Sequence, residues 1–218
     1  MTTIIDYGIG NLRSIEKAFE AVGASVHRTD RPDAVANAER VVLPGVGAFR
    51  ACIDEIRRRD LENAIHEVID RGVPFLGVCV GMQLLFETGY EKGEHDGLGV
   101  LPGHVAHFRD TDVGMPDDLS VPHMGWNAIE PTRTHPLLEG LGDAPYVYFV
   151  HSYHPVAETT DDVLATTTYG HTFPSVVQCD NVFGVQFHPE KSQAAGLGLL
   201  ENFAALPAGE GAKRTVTT

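Results

Sequence analysis

The sequence has few basic residues, and lysine is the scarcer of them. Its 218 residues include 30 Asp and Glu but only 16 Lys and Arg, for a formal net charge of −14 at pH 7. The lysines are Lys17, Lys92, Lys191 and Lys213. So acidic a surface repels nucleic-acid backbones and anionic membranes, so neither is expected as a partner. It also predicts adaptation to concentrated salt, in which repulsion between the acidic groups is screened.

Cysteine is also rare. Cys52, Cys79 and Cys179 are the three in the chain, and no Cys-x-x-Cys pair occurs. Neither a disulfide framework nor a zinc site is therefore indicated. His151 and His154 lie three residues apart on a segment with the pattern of a strand, and this spacing matches a helical metal pair poorly. We predict no metal site and no cofactor.

Long apolar runs are absent as well. No run reaches the roughly 18 residues that span a bilayer, so no membrane segment is predicted. Residues 1–6 contain neither a basic region nor a long apolar stretch, so no signal peptide is expected. The expected location is the cytoplasm.

The length and composition are those of an ordinary globular domain. Hydrophobic residues make up 43% of the chain and charged residues 21%, close to the averages of soluble proteins. Such a chain suits one domain of about 100–250 residues. We predict a single domain over residues 1–206 and a flexible C-terminal tail over 207–218.

The first half alternates short β-like runs with helical patterns. The predicted strands are residues 3–5, 25–26, 41–43 and 74–78, and the predicted helices are 12–22, 61–69 and 82–86. Asn11 can cap the first helix. The run 74–78 is apolar throughout, which is typical of a buried parallel strand. This alternation predicts an α/β fold with a mostly parallel sheet flanked by helices.

The second half has a different pattern. Its β-like segments are residues 100–101, 105–108, 146–150, 163–168, 175–179 and 183–187, with a polar loop at 110–120 and a closing helix at 192–206. Turn residues separate these short segments. We therefore predict additional β structure in this half.

One cysteine lies where a strand passes directly into a helix. Cys79 follows the predicted strand 74–78, with Gly77 two residues before it and Gly81 two residues after it. This is the pattern of a nucleophile elbow, with Cys in the place of Ser in G-x-S-x-G. The following helix N-terminus favours the thiolate over the thiol. The alternative is a buried cysteine that packs as a small hydrophobic residue.

A proton shuttle for this cysteine is present later in the chain. His188 and Glu190 follow the predicted strand 183–187 and are separated by Pro189. A carboxylate two residues from an imidazole can accept its N–H, which fixes the tautomer and stabilises the imidazolium. Alone, this segment would be a surface turn. Together with the elbow, it predicts a Cys-His-Glu triad.

Two glycine-rich segments follow predicted strands. Pro44-Gly45-Val46-Gly47 allows the backbone to approach a ligand and to direct N–H groups at it, although a tight connection between a strand and a helix would look the same. The earlier Gly8-x-Gly10 would suit a dinucleotide site, but Arg13 replaces the third glycine of that motif. We therefore reject a dinucleotide cofactor.

Together these segments resemble the class I (triad) glutamine amidotransferases. The markers are G-V-C-V-G-M-Q at 77–83, P-G-V-G at 44–47 and F-H-P-E at 187–190. The match is closer still to one branch of that family, the glutaminase subunits of imidazole glycerol phosphate synthase. That branch is indicated by Y-G-I-G-N at 7–11, P-H-M-G-W-N at 122–127, Y-F-V-H-S-Y at 148–153 and H-P-E-K-S at 188–192. These segments occur in order over nearly the whole chain.

The resemblance implies hydrolysis of glutamine to glutamate and ammonia. Cys79 would attack the side-chain amide, His188 would carry the thiol proton to the leaving ammonia, and Glu190 would orient His188. The implied oxyanion donors are the backbone N–H of Val80 and the backbone of Val46 and Gly47.

Further positions are implied for substrate binding. They are Gln83, Glu91, and the backbone of Ser152 and Tyr153, with Glu91 facing the α-amino group of glutamine. Glu91 lies in a polar stretch, so its alternative is a solvated loop charge.

The resemblance also implies a partner, a separate (β/α)₈-barrel synthase (cyclase) subunit that forms a heterodimer with this chain. Ammonia would pass to it and react with a phosphorylated ribulosyl-aminoimidazole-carboxamide. The family positions near that interface are Asn11, Trp126, Tyr148 and Lys191. Trp126 is the one tryptophan, which suits an interface hot spot, and the alternative is a core tryptophan with a satisfied N–H.

Three rival functions remain open at this stage. One is the glutaminase of another pathway, such as anthranilate or pyridoxal phosphate synthesis, against which Met82 and the segment 123–127 argue. Another is a non-catalytic subunit that only regulates the barrel, against which the intact triad counts. The third is a cysteine peptidase, which a comparison of glutamine and a peptide as substrates would distinguish.

Overall fold

The computed structural model describes residues 1–110 and 115–207. The strands are β1 (Thr2–Ile5), β2 (Val26–Thr29), β3 (Val41–Gly45), β4 (Phe75–Cys79), β5 (Phe86–Gly89), β6 (His95–Asp96), β7 (Leu101–His107), β8 (His123–Ala128), β9 (Glu130–Pro131), β10 (Tyr146–His151), β11 (Tyr153–Ala157), β12 (Val163–Tyr169), β13 (His171–Cys179) and β14 (Val182–Val185). The helices are α1 (Leu12–Ala21), α2 (Pro32–Ala36), α3 (Phe49–Arg58), α4 (Leu61–Asp70), α5 (Val80–Gln83) and α6 (Gln193–Ala205).

A central sheet of eight strands organises the described residues. Its order is β2-β1-β3-β4-β14-β13-β12-β9. The pairs from β2 to β14 are parallel, and those beyond β14 are antiparallel. All residues of β1, β3 and β4 are buried, as expected of parallel strands covered on both faces. The predicted α/β class and mostly parallel sheet are confirmed.

The helices form two groups on the sheet. α1 packs against α6, while α2 and α3 both pack against α4. Right-handed crossovers between parallel strands bring the two groups to opposite faces. The large buried aromatic side chains that fill these layers include Phe19, Phe49, Phe75, Phe187 and Phe203.

The second half contains additional β structure, as predicted, and its strands contribute to two smaller sheets. β8 and β10 form an antiparallel ribbon in which Trp126 lies opposite Tyr148. The other sheet has the order β11-β7-β5-β6. The predicted segments 100–101 and 105–108 both overlap a single strand, β7, which excludes Val100 and Phe108, and the sequence pattern predicts no strand at β8.

The helix predicted over 82–86 is wrong. The helix that follows Cys79 is the single turn α5, and Phe86 begins β5. Met82, Leu84, Leu85 and Phe86 are all fully buried, so the run has no polar face from which to judge its period. An apolar run of this kind does not distinguish a helix from a strand.

Two predicted segments fall partly or wholly beyond the described residues. The loop 110–120 includes residues 111–114, and the tail 207–218 includes 208–218, so both remain predictions, as does the single domain. Asn11 is at the N-cap of α1 but makes no side-chain capping hydrogen bond. Among the described residues, no helix is both long and apolar enough to cross a membrane.

The acidic surface should make stability depend on salt. The ion pairs of arginine with Asp or Glu among the described residues, such as Arg57–Glu62 at 3.0 Å, are partly exposed, and such pairs contribute little. The excess of negative charge should therefore destabilise the fold at low ionic strength. Between low salt and 1 M KCl we expect the melting temperature to rise by about 2–4 °C for each kcal/mol of repulsion removed.

Differential scanning calorimetry measures this shift, with sucrose at equal osmolality as the control because sucrose does not screen charge. A melting temperature that stays constant or falls with KCl would reject the salt adaptation.

Candidate active site

Cys79 lies on a sharp turn between β4 and α5. Its φ is +55° and its ψ is −112°, a backbone conformation that is strained for a residue with a side chain. A Cβ on Gly77 or Gly81 would collide with neighbouring backbone, so only glycine fits at these two positions. The geometry is that of the nucleophile elbow that the sequence predicts.

His188 and Glu190 lie beside Cys79. The imidazole of His188 lines the same cleft as Cys79 and interacts with the Cys79 thiol, and its Nδ1 lies 2.9 Å from Oε1 of Glu190. The backbone of His188 is fixed by a hydrogen bond from its N–H to the Tyr148 carbonyl (2.9 Å) and by one from the Ser192 hydroxyl to its own carbonyl (2.6 Å). Cys79 and His188 are each only 3% exposed.

The electrostatics of this cluster favour the charged form of His188. Burial opposes the imidazolium, but hydrogen bonds to Cys79 and Glu190, together with the charges of these groups, outweigh it and raise the pKa of His188 to about 10. His188 is therefore an imidazolium at neutral pH.

The glycine-rich segment 44–47 runs along the same edge. Gly45, the last residue of β3, pairs in register with Cys79, and Gly47 has a φ of +83°. The Tyr7 hydroxyl donates to the Pro44 carbonyl (2.8 Å). The Cys52 thiol donates to the carbonyl of Val46 (3.3 Å). These two hydrogen bonds restrain the carbonyl groups of Pro44 and Val46.

A cleft of about 390 Å³ opens at Cys79. Its walls include every residue that the sequence predicts for catalysis, the oxyanion hole and substrate binding except Glu190, which lies behind His188: Val46, Gly47, Cys79, Val80, Gln83, Glu91, Ser152, Tyr153 and His188. Phe49 donates its N–H to Oε2 of Glu91 (2.8 Å). Glu91 is thus a fixed wall of the cleft and not a solvated loop charge.

Three of the four predicted interface residues lie together. The ring centroids of Trp126 and Tyr148 are 6.1 Å apart, and Nζ of Lys191 lies 5.7 Å from the Tyr148 ring centroid. Trp126 is 45% exposed, so it is not a core tryptophan. Asn11 lies apart from them, in a small cavity that Glu190 also lines.

The same ribbon exposes two residues that the sequence analysis missed, Met124 and Tyr146, each 62% exposed. The β8 residues Met124 and Trp126 share one face by the alternation of a strand, and so do Tyr146 and Tyr148 on β10. That alternation was visible in the sequence once both segments were known to be strands.

Two buried histidines connect the ribbon to the cleft. Nδ1 of His151 is 2.8 Å from the Tyr153 carbonyl, which can only accept, so Nδ1 carries the hydrogen. Nε2 of His151 then accepts from Nδ1 of His123 at 3.1 Å. Burial lowers the pKa of His123 to about 4 and that of His151 as well, so both rings are neutral. Within residues 1–110 and 115–207, no three His, Cys, Asp or Glu side chains form a metal site.

Comparison with known proteins identifies the family. The family model described as glutamine amidotransferase class-I matches residues 3–205. Imidazole glycerol phosphate synthase subunit HisH of Salinibacter ruber is 85% identical over all of both chains, and that of Syntrophotalea carbinolica is 50% identical over 93% of this chain and 98% of its own.

Solved structures agree on the fold. A crystal structure of a glutamine amidotransferase superposes with a TM-score of 0.69 at 20% identity, covering 94% of this chain and 99% of that one. The structure of PurLQS from Thermotoga maritima also gives a TM-score of 0.69, at 17% identity over 93% and 96% of the two chains. The chain belongs to the class-I glutamine amidotransferase family and, within it, to the HisH subunits of imidazole glycerol phosphate synthase.

Proposed function

We propose that the protein is the glutaminase subunit of imidazole glycerol phosphate synthase and supplies ammonia for histidine biosynthesis. The observation that carries this proposal is the contact of Cys79, on a nucleophile elbow, with His188, which is hydrogen-bonded to Glu190. The cleft at Cys79 has the volume of a small-molecule site. Family membership supports the reaction class, and the HisH relatives support the pathway.

The reaction begins with attack of the Cys79 thiolate on the side-chain carbonyl carbon of glutamine. The tetrahedral intermediate collapses when its C–N bond breaks and the nitrogen takes the proton of His188, which releases ammonia. A γ-glutamyl thioester remains on Cys79. Water then gives a proton to His188 and attacks the thioester, which releases glutamate and frees Sγ of Cys79.

The remaining residues of the cleft hold the charges of the substrate and the intermediate. The N–H of Val80 and the backbone of Val46 and Gly47 stabilise the oxyanion. The carboxylate of Glu91 attracts the α-amino group of glutamine. Gln83 and the backbone of Ser152 and Tyr153 complete the substrate site, and no cofactor takes part.

Glutamine itself is the substrate that distinguishes this proposal from two of its rivals, the cysteine peptidase and the purely regulatory subunit. A glutaminase releases glutamate and ammonia from glutamine, whereas a cysteine peptidase cleaves a peptide and a purely regulatory subunit does neither. An assay of both substrates, with and without the candidate barrel subunit, decides among the three.

The partner in this proposal is the (β/α)₈-barrel synthase subunit in a cytoplasmic heterodimer. Ammonia is useful only if it reaches the acceptor before it is protonated in solvent. The exposed aromatic face of Trp126 and Tyr148, with Lys191 beside it, has the composition of a protein interface. Asn11 belongs to the same proposed interface from the side of Glu190.

Glu190→Gln should lower activity and move its alkaline limit to lower pH. The wild-type imidazolium has a pKa of about 10, so it keeps its proton for the leaving ammonia up to about that pH. The neutral amide removes a negative charge and favours deprotonation of the ring. We expect kcat to fall by about 10²–10⁴-fold and the alkaline limb of the rate profile to shift downward.

Glutamate release measured between pH 6 and 11 tests this. The control is Glu201→Gln, an exposed position on α6 outside the cleft. An alkaline limb at the same pH in Glu190→Gln and the wild type would contradict the assigned role.

A further inference from the structure

Gln186 is a buried polar side chain to which the mechanism above gives no part. It follows β14 directly and is 0% exposed. A carboxamide at such depth is costly unless hydrogen bonds satisfy it. Gln186 lies two residues before His188, and both side chains reach Cys79.

The orientation of the Gln186 amide follows from its neighbour Gln83. Nε2 of Gln83 lies 3.0 Å from the Tyr153 carbonyl, an atom that can only accept, so this end of Gln83 is the donor. The same Nε2 lies 3.1 Å from Gln186, and the atom of Gln186 that it meets must therefore be the acceptor Oε1. The Nε2 of Gln186 is then the end that faces Cys79.

That nitrogen is 3.8 Å from Sγ of Cys79, within the reach of a hydrogen bond to sulfur. A buried thiolate needs donors around it, because its charge is poorly solvated there. His188 supplies one and takes part in proton transfer. A carboxamide supplies another without gaining or losing a proton, so it does not compete with His188.

We propose that Gln186 is a positioning residue for glutamine hydrolysis, which holds the Cys79 thiolate with its Nε2 and the Gln83 side chain with its Oε1. The fully buried side chain of Gln186 thus fixes the position of the Cys79 nucleophile relative to Gln83, which forms part of the wall of the substrate cleft. The contact favours the charged sulfur over the thioester, so it also assists departure of the thiolate when water attacks. This inference rests on the proposed roles of Cys79 and Gln83.

Alkylation of Cys79 by iodoacetamide as a function of pH tests the contact without any turnover. Gln186→Met keeps the approximate shape and removes the donor. We expect its alkylation midpoint to rise by about one pH unit, which corresponds to a tenfold loss of thiolate. Gln186→Glu has the same shape and places a carboxyl beside the sulfur, so its midpoint should rise further. The matched control is Gln178→Met on β13, which should keep the wild-type midpoint.

The other ionisable groups that affect this midpoint stay in place in the variants. They are His188, Glu190 and Lys191 after β14, Tyr7 after β1, Cys52 on α3, His151 on β10, Tyr153 on β11 and Glu91 in the wall of the cleft. The alkylated cysteine is identified by mass spectrometry of the Cys79 peptide.

Steady-state kinetics separate the two contacts of Gln186. In Gln186→Met we expect kcat/KM for glutamine to fall about ten- to a hundredfold, with a lower kcat. Gln83→Ala should raise KM and leave the alkylation midpoint near that of the wild type. If Gln83→Ala reproduces the shift of Gln186→Met, the proposed direct contact with sulfur is overturned.

An unchanged midpoint in folded Gln186→Met also overturns the inference. If that variant does not melt cooperatively, the isosteric Gln186→Glu decides in the same way. If the proposed function is wrong, a different result is expected. Wild-type protein with its barrel partner would then release no glutamate, whatever the alkylation profiles of the variants.

Discussion

Replacing Cys79 by alanine is expected to abolish glutamine hydrolysis while leaving the protein folded. Without Sγ there is no nucleophile, so glutamate release should fall by at least about 10⁴-fold, to the background rate. Alanine keeps the Cβ atom at this position of positive φ, so the backbone strain is the same as with cysteine. The melting temperature should therefore stay close to that of the wild type.

A glutamine-analogue diazo-ketone should label Cys79 and neither of the other cysteines. Burial raises the pKa of Cys52 to about 11, which leaves it as an unreactive thiol. Cys179 lies on β13, at the end of that strand that is farther from the cleft. Cys179→Ala is the control and should be labelled and active like the wild type. Labelling at Cys52 or Cys179, with Cys79 unmodified, would refute the triad.

The isolated subunit should hydrolyse glutamine slowly and become active when the ligand-bound barrel subunit docks. The reason lies in the segment 44–47, whose carbonyls at Pro44 and Val46 are held by Tyr7 and Cys52. Gly45 and Gly47 let a peptide unit there rotate at modest cost, so the partner can bias the direction of its N–H. Without one oxyanion donor the rate falls by about 10²–10³-fold, and we expect activation of that order.

Lys191→Ala should weaken this activation more than it weakens glutamine binding. Lys191 follows Glu190, lines the cleft and approaches Tyr148, so it connects the proposed interface with the triad. The control is Lys17→Ala, an exposed lysine on α1 that does not line the cleft.

The measurement is kcat and KM for glutamine with and without the barrel and its ligand. If the purified subunit is fully active, and neither the partner nor its ligand changes this activity, the segment 44–47 does not need the partner to orient its N–H.

The elements that the sequence predicted well were those with a clear pattern. The buried strand of Cys79 was apparent because no polar residue interrupts its apolar run, and α1 was apparent because its apolar residues recur with a helical period. The run from Met82 to Phe86 failed because its buried residues carry no periodic signal, so helix and strand were indistinguishable. The strand at His123–Ala128 was recognised as a family segment but not as a strand.

The residues of the candidate active site also divide into those that the sequence predicted and those that it did not. Cys79, His188 and Glu190 could be predicted as a triad because each lies within a few residues of a glycine, a proline or another of the three. Gln186 carried no comparable signal, since a glutamine two residues from a histidine is common. Its proposed role depends on its contacts with Gln83 and Cys79, which are 103 and 107 positions away in the chain.

Local patterns of periodicity and spacing were sufficient to predict the fold class, the family, and the nucleophile with its proton shuttle. The packing of the folded chain was needed to establish that Glu91 is fixed in the wall of the cleft, that Trp126 is exposed, and that His123 and His151 are neutral. These properties arise when strands distant in sequence pack side by side. Burial then sets which polar groups lose water and must find hydrogen bonds within the protein.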